Sequence, residues 1–171
     1  MAVNAREALA LAKQLQQSAP KTFVPPSEGT RPASESILPF ALVKGTRGYI
    51  EKVANQVNGC YEKGWFDGCA VMMRRMVETL IIECFEAYGM ADKIKNGDGD
   101  YFYLGELVDA TLNEPKWNLG RGTKQGLPRL KTIGDRSAHS RRWNAFRDDI
   151  DKRSDDFRVV CQELLYLAKL K

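Results

Sequence analysis

The stretch from Asp67 to Gly89 constrains the fold of this chain more than any other part of it. At 100° per residue, Ala70, Val71, Met73, Val77, Leu80, Ile81, Cys84 and Phe85 cover more than half the circumference of a single helix. A helix this apolar has to be covered by neighbours on several sides. Asp67 is placed to cap its start and Gly89 to end it. Arg74 and Glu78 fall inside the apolar arc, four residues apart and therefore within reach of each other, while Arg75, Thr79, Glu83 and Glu86 mark the polar edge. Burying a charge pair is expensive and does not explain itself by stability. The pair is expected to face residues 134–139, either bracing a loop by hydrogen bonds or orienting a site beneath His139.

The flanking segments supply the cover. Ile50, Val53, Ala54, Val57 and Tyr61 predict a helix from Tyr49 to Tyr61, closed by Gly64. A short helix from Leu104 to Leu112 ends before Pro115, and Trp117 and Leu119 anchor the loop that follows. A helix from about Lys124 carries Leu127, Leu130 and Ile133. The Gly134-Asp135 pair before His139 and the serine after it read as a helix end or turn that lifts the ring to the surface. Phe146 to Arg153 is dense in alternating charge and reads as a solvated short helix or turn. Ser154 or Asp155 then caps a last helix striped by Phe157, Val160, Cys161, Leu164, Leu165, Leu167 and Ala168.

Strand-type alternation is scarce, so the expected fold class is all-α: a helical bundle of four to five helices over residues 45–171. Ahead of it, residues 1–18 read as an amphipathic helix with Asn4 as cap and a thin stripe of Leu9, Ala10, Ala12 and Leu15. So thin a stripe predicts docking onto a partner protein or a second copy, and a homodimer is expected. Residues 19–44 read as a Pro-rich linker containing Pro20, Pro25, Pro26, Pro32 and Pro39, with the apolar run from Leu38 to Val43 pinning its end to the core.

Several function classes drop out on composition. With 171 residues, 43% of them hydrophobic, the chain can build one ordinary core. No apolar run approaches the roughly 20 residues that span a bilayer, and Lys13 interrupts the N-terminal Ala/Leu stretch, so neither a membrane partner nor a secretion signal is expected. Cys60, Cys69, Cys84 and Cys161 form no Cys-x-x-Cys pair and read as reduced thiols of a cytoplasmic protein. One histidine and unpaired cysteines argue against structural zinc. The Asn96, Asp98, Asp100 alternation fails as a calcium loop, having Tyr101 at the sixth position and Leu107 at the twelfth. Gly120, Gly122 and Gly126 lack a following Gly-Lys-Ser/Thr and make no phosphate loop. No metal and no cofactor is expected.

The chemistry concentrates near His139, the only histidine, with Arg136, Arg141 and Arg142 within three residues of it. Imidazole accepts and returns protons near neutral pH; a lone histidine between helices serves equally as a hydrogen-bonded structural group. The formal charge of +4 is distributed unevenly. From Lys116 to Arg147, nine basic residues face one acid, Asp135, and the rest of the chain is net acidic. A basic band containing Trp117 and Trp143 suits phosphate contact and base stacking, with Lys131, Arg136, Arg141, Arg142 and Trp143 as the expected nucleic-acid contacts. Pairing of these arginines with Asp148, Asp149 and Asp151 is the alternative.

The Arg-Arg-x-Val-Glu helix from Arg74 to Glu78, the later Gly-Asp-x-x-x-His from Gly134 to His139 and the apolar terminal helix together resemble the HEPN superfamily, in particular an uncharacterised bacterial branch of it. The resemblance covers roughly residues 45–170. It implies a helical bundle, often dimeric, and for many members a metal-independent ribonuclease of toxin–antitoxin, phage-defence or CRISPR-associated systems. It also implies His139 as acid or base and an arginine on the phosphate. Here Gly134 stands where that arginine belongs, five residues before the histidine, with Asp135 at the polar position. A glycine cannot neutralise a phosphorane; Arg74 or Arg136 would have to replace it, with Glu78 orienting, and Asp135 would repel phosphate unless paired. Three functions remain open: a non-catalytic module binding RNA or a partner protein in a prokaryotic defence or stress-response system; a metal-independent ribonuclease with His139 as general acid or base, Arg74 and Arg136 on the phosphate, Glu78 orienting and Asp135 beside them; and a nucleotide or small-anion binder.

Overall fold

The computed structural model describes residues 37–171, and these form an all-α bundle. The helix expected over 1–18 and the linker up to residue 36 lie outside the described residues. Five helices follow in order: α1 (Gly48–Glu62), α2 (Phe66–Ala87), α3 (Leu104–Leu112), α4 (Arg121–His139) and α5 (Arg147–Leu167). Two 3-10 turns, Phe40–Leu42 and Ala91–Ile94, complete the regular structure. None of the described helices is long and apolar enough to cross a membrane.

The apolar helix, α2, is the axis of the bundle and packs against α1, α3, α4 and α5. Cys69, Ala70, Met73, Met76, Val77, Leu80, Ile81, Cys84 and Phe85 are sealed from solvent along it. Gly64 and Gly89, at φ 74° and 64°, take the left-handed conformation that closes α1 and α2 without a Cβ penalty. Trp117 and Leu119 are buried, as their anchoring role requires, and Phe85 meets Trp117 edge-to-face at 4.6 Å. Burial pushes the Cys69 and Cys84 thiols up to about 12 and raises that of Cys161, so these are inert packing groups.

The apolar run from Leu38 to Val43 pins the entry segment to the core as expected, and Ile37 extends that contact by one residue. Ile37, Leu38 and Val43 belong to the core. The buried amide of Asn58 on α1 holds this entry segment: its Oδ1 accepts the N–H groups of Ile37 and Leu38 at 3.1 and 3.0 Å, and its Nδ2 donates to the Leu38 carbonyl at 2.8 Å. Three backbone groups that would otherwise be buried and unpaired are satisfied by one side chain.

Three local expectations are corrected. Glu83 is buried rather than on a polar edge; the Tyr49 hydroxyl and the Arg47 Nε, the latter at 2.8 Å, donate to its carboxylate. Desolvation, reinforced by the hydrogen bond to Glu83, pushes the Tyr49 hydroxyl up to about 12. The charge-rich segment before Ser154 is the first two turns of α5, which starts at Arg147 with the Asp149 carboxylate accepting the Phe146 N–H at 3.0 Å. Asp67 lies inside the first turn of α2, where its carboxylate accepts the Ala145 N–H at 2.9 Å and the Asn144 amide at 3.1 Å. It thereby ties the α4–α5 connection to the start of the central helix.

Candidate functional site

Residues 134 and 135 do not form a turn. Helix α4 runs through them to His139, and Gly134 is buried where α4 crosses α2. A Cβ on Gly134 would stand 2.6 Å from the Cβ of Arg74, with the Cγ and Cδ of Arg74 at 3.0 Å. The glycine is therefore a contact requirement between helices, not a break in one. Gly126 plays the same part toward α5, where an added Cβ would meet Val160 Cγ2 at 2.8 Å. Local propensity disfavours both residues in a helix; close approach of three helices outweighs it.

That crossing builds an ionic cluster. Arg74 Nε donates to Asp135 Oδ1 at 3.0 Å and Nη1 to Glu78 Oε2 at 3.2 Å, while Lys131 Nζ reaches Asp135 Oδ2 at 2.6 Å. Two cations face two carboxylates, so the cluster is close to neutral. Burial alone would raise the Asp135 carboxyl, but the hydrogen bonds from Lys131 and Arg74 outweigh it and hold the group below its ordinary range. The side chains of Arg74 and Glu78 retain 23% and 33% exposure, so the pair is only partly buried, contrary to the expectation from its helical position. It braces α4 rather than a loop.

His139 ends α4 in an exposed position and its ring makes no hydrogen bond among the described residues, which removes the hydrogen-bonded structural role considered for it. It shares an open hollow of about 600 Å³ with Arg74, Tyr103, Lys131, Asp135 and Arg136. Glu78 holds Arg74 from outside that lining. The hollow thus contains one imidazole, an arginine already committed to two carboxylates, and at its edge Arg136, which forms no ion pair among the described residues and is the one arginine there left to meet a phosphate. General acid–base work at a phosphodiester needs groups for both proton transfers and uncompensated positive charge on the developing phosphorane. The imidazole supplies proton-transfer capacity here; the Arg74 cluster does not supply the charge.

The opposite flank of α4 is different. The Arg136 guanidinium lies 4.8 Å from the centre of the Trp143 ring. Both belong to a second, smaller hollow of about 180 Å³, between α4 and α5, together with Arg129, Asp149, Lys152 and Arg153. Arg136 lines both hollows and joins them. Arg141 and Arg142 are exposed in the connection to α5 and have no ion pair among the described residues. Of the expected nucleic-acid contacts, Arg136 and Trp143 are therefore together, Arg141 and Arg142 adjoin them in the chain, and Lys131 is spent on Asp135.

The nine-residue basic band does not condense into one patch. Helix α4 is about 28 Å long at 1.5 Å per residue, which puts Arg121 and Lys124 at the far end from Arg141 and Arg142. Arg129 pairs with Asp156 at 3.4 Å, and Arg147 covers the rings of Tyr61 and Phe66 at 4.8 and 5.3 Å. Lys152 and Arg153 escaped notice because their segment looked solvated. The seven-residue spacing of Ile150, Phe157 and Leu164, all buried, was the signal that it continues the terminal helix.

No protein-family model matches the chain, and no curated protein or solved structure matches it.

Proposed function

We propose that this chain is a HEPN-like helical module that binds RNA without cleaving it, or cleaving it only weakly. The observation that carries the reading is the split of charge across α4. Arg74 and Lys131 are neutralised by Asp135 and Glu78, whereas Arg136 lies over the Trp143 indole without an ion pair, and Arg141 and Arg142, exposed, immediately precede Trp143 in the chain. Unpaired cations next to an aromatic ring suit phosphate contact with a stacked base, and they favour RNA over a partner protein. A prokaryotic defence or stress-response setting and a homodimer follow from the HEPN resemblance; light scattering on the full chain tests the second.

The test is titration of the full chain into a fluorescently labelled RNA oligonucleotide in EDTA, read by anisotropy at several salt concentrations and by gel for cleavage. Salt-sensitive binding without cleavage is expected. The double substitution Arg141→Ala, Arg142→Ala is expected to weaken binding and reduce the salt slope by roughly 1.4, at about 0.7 per phosphate contact on a single strand. Unchanged affinity in that variant retires the reading.

A second reading has one specific observation in its favour: His139 is open to solvent and lines one hollow with Arg74 and Asp135. On that reading the chain is a metal-independent ribonuclease with His139 as general acid or base. Cleavage in EDTA that disappears in His139→Ala would establish it in place of the binding module.

A further inference from the structure

The small hollow between α4 and α5 has a charge count that the RNA-binding reading leaves unused. Four basic side chains, Arg129, Arg136, Lys152 and Arg153, line it. Two carboxylates oppose them. Asp156 stands behind the lining and holds Arg129 at 3.4 Å and Arg153 at 3.3 Å; Asp149 lines the hollow and is engaged by the Phe146 N–H at 3.0 Å. Two positive charges stay uncompensated. Asp156 fixes two of the guanidiniums and the Trp143 ring a third, so the donors are held in place before any ligand arrives.

Size and charge select the ligand. Pockets for drug-sized molecules run from about 300 Å³ upward. At about 180 Å³ this hollow takes a phosphoryl group and not a whole nucleotide. A phosphodiester carries a single negative charge, whereas a phosphomonoester carries about −1.5 to −2 at pH 7 and has three acceptor oxygens. Arginine forks suit those oxygens in a way that one lysine does not. Trp143 at the wall offers a ring for the sugar or base that remains outside.

We infer that this hollow seats the terminal phosphate of an RNA strand, so that the protein recognises a phosphorylated end rather than internal backbone alone. The inference rests on the RNA-binding reading and adds an end specificity to it. It differs from the His139 hollow, which lies on the other flank of α4 and whose Arg74 and Lys131 are already paired with Asp135 and Glu78.

The experiment measures binding of the full chain to one RNA oligonucleotide prepared with a 5′-phosphate, with a 3′-phosphate, or with hydroxyls at both ends. Tighter binding of one phosphorylated form by about tenfold or more is expected, with that preference collapsing toward one in Lys152→Met. Lys152 is exposed and forms no ion pair among the described residues, so its substitution leaves packing alone. Equal affinity for all three strands overturns the inference and leaves the RNA reading standing. Binding to none of them overturns both. Inorganic phosphate and a mononucleotide serve as competitors to separate sources of the same chemistry. Millimolar phosphate erasing the end preference supports the seat, and a mononucleotide bound more tightly than any strand replaces the RNA end with a free nucleotide as the ligand.

Discussion

Gly134→Ala is the sharpest probe of the α2–α4 crossing. The added methyl would lie 2.6 Å from Arg74 Cβ, against an optimal carbon–carbon separation of about 3.5–4.0 Å. Backbone-attached atoms cannot swing aside, so the two helices must part by about an ångström. Overpacking of this kind costs about 1–3 kcal/mol, while replacing glycine inside a helix returns about 1 kcal/mol. The net effect is a modest loss that a single variant would blur. Gly59→Ala provides the reference, because Gly59 is in α1 with nothing within 4 Å of its Cβ position, and there only the propensity gain applies. The gap between the two variants isolates the steric part, about 1–3 kcal/mol, or roughly 2–12 °C in Tm for a chain of this size. Circular dichroism melts and urea titrations of both variants measure it. Adding Arg74→Ala to Gly134→Ala should not restore stability, since alanine keeps the offending Cβ. If Gly134→Ala raises Tm as much as Gly59→Ala does, the helices do not touch there and the account of the site fails.

Other substitutions test separate parts of the structure. Asn58→Ala strands two N–H groups and one carbonyl of the entry segment, and a loss of about 2–4 kcal/mol in urea unfolding is expected; an effect below about 0.5 kcal/mol would mean the segment is held by other means. Glu78→Ala would cost about 3–5 kcal/mol if its pair were fully buried. With both partners partly exposed and Arg74 retaining Asp135, a loss of about 1 kcal/mol or less is expected, and a larger one would restore the buried-pair view. Because the folded Asp135 carboxyl is held below its unfolded value of about 3.9, it stabilises the fold above that pH and ceases to as pH falls through the folded value. The Tm difference between the wild-type chain and Asp135→Asn should therefore shrink as pH is lowered from 5 toward 2, and a constant difference would contradict the ion pairing.

Where hydrophobic spacing alone decided an element, the chain was readable. The bounds of α3, Leu104–Leu112, and the burial of Leu127, Leu130 and Ile133 on one face of α4 follow directly from spacing. Errors arose where a distant contact overrode local chemistry. Gly134 looked like punctuation because a single chain segment cannot reveal that another helix needs the space of its missing side chain. Glu83 looked solvent-facing because Arg47 and Tyr49, more than thirty residues earlier, supply the donors that make its burial tolerable. The start of α5 looked detached because its charges obscured the regular return of Ile150, Phe157 and Leu164. For the site, the sequence placed His139, Asp135 and Arg74 near one another and Arg136 with Trp143, but it gave no sign that α4 separates a neutral flank from a cationic one.

The bare backbone of Gly134 also governs how the His139 hollow responds to a guest. Spacing between two rods that meet through side chains can breathe by rotamer changes; here main chain abuts the stem of Arg74 directly, and no rotamer is available to yield. Widening the hollow at that seam requires an entire helix to translate. The seam between α2 and α4 is thereby fixed, and adjustment to a guest falls to the exposed side chains of Tyr103, Arg136 and His139 that line the hollow.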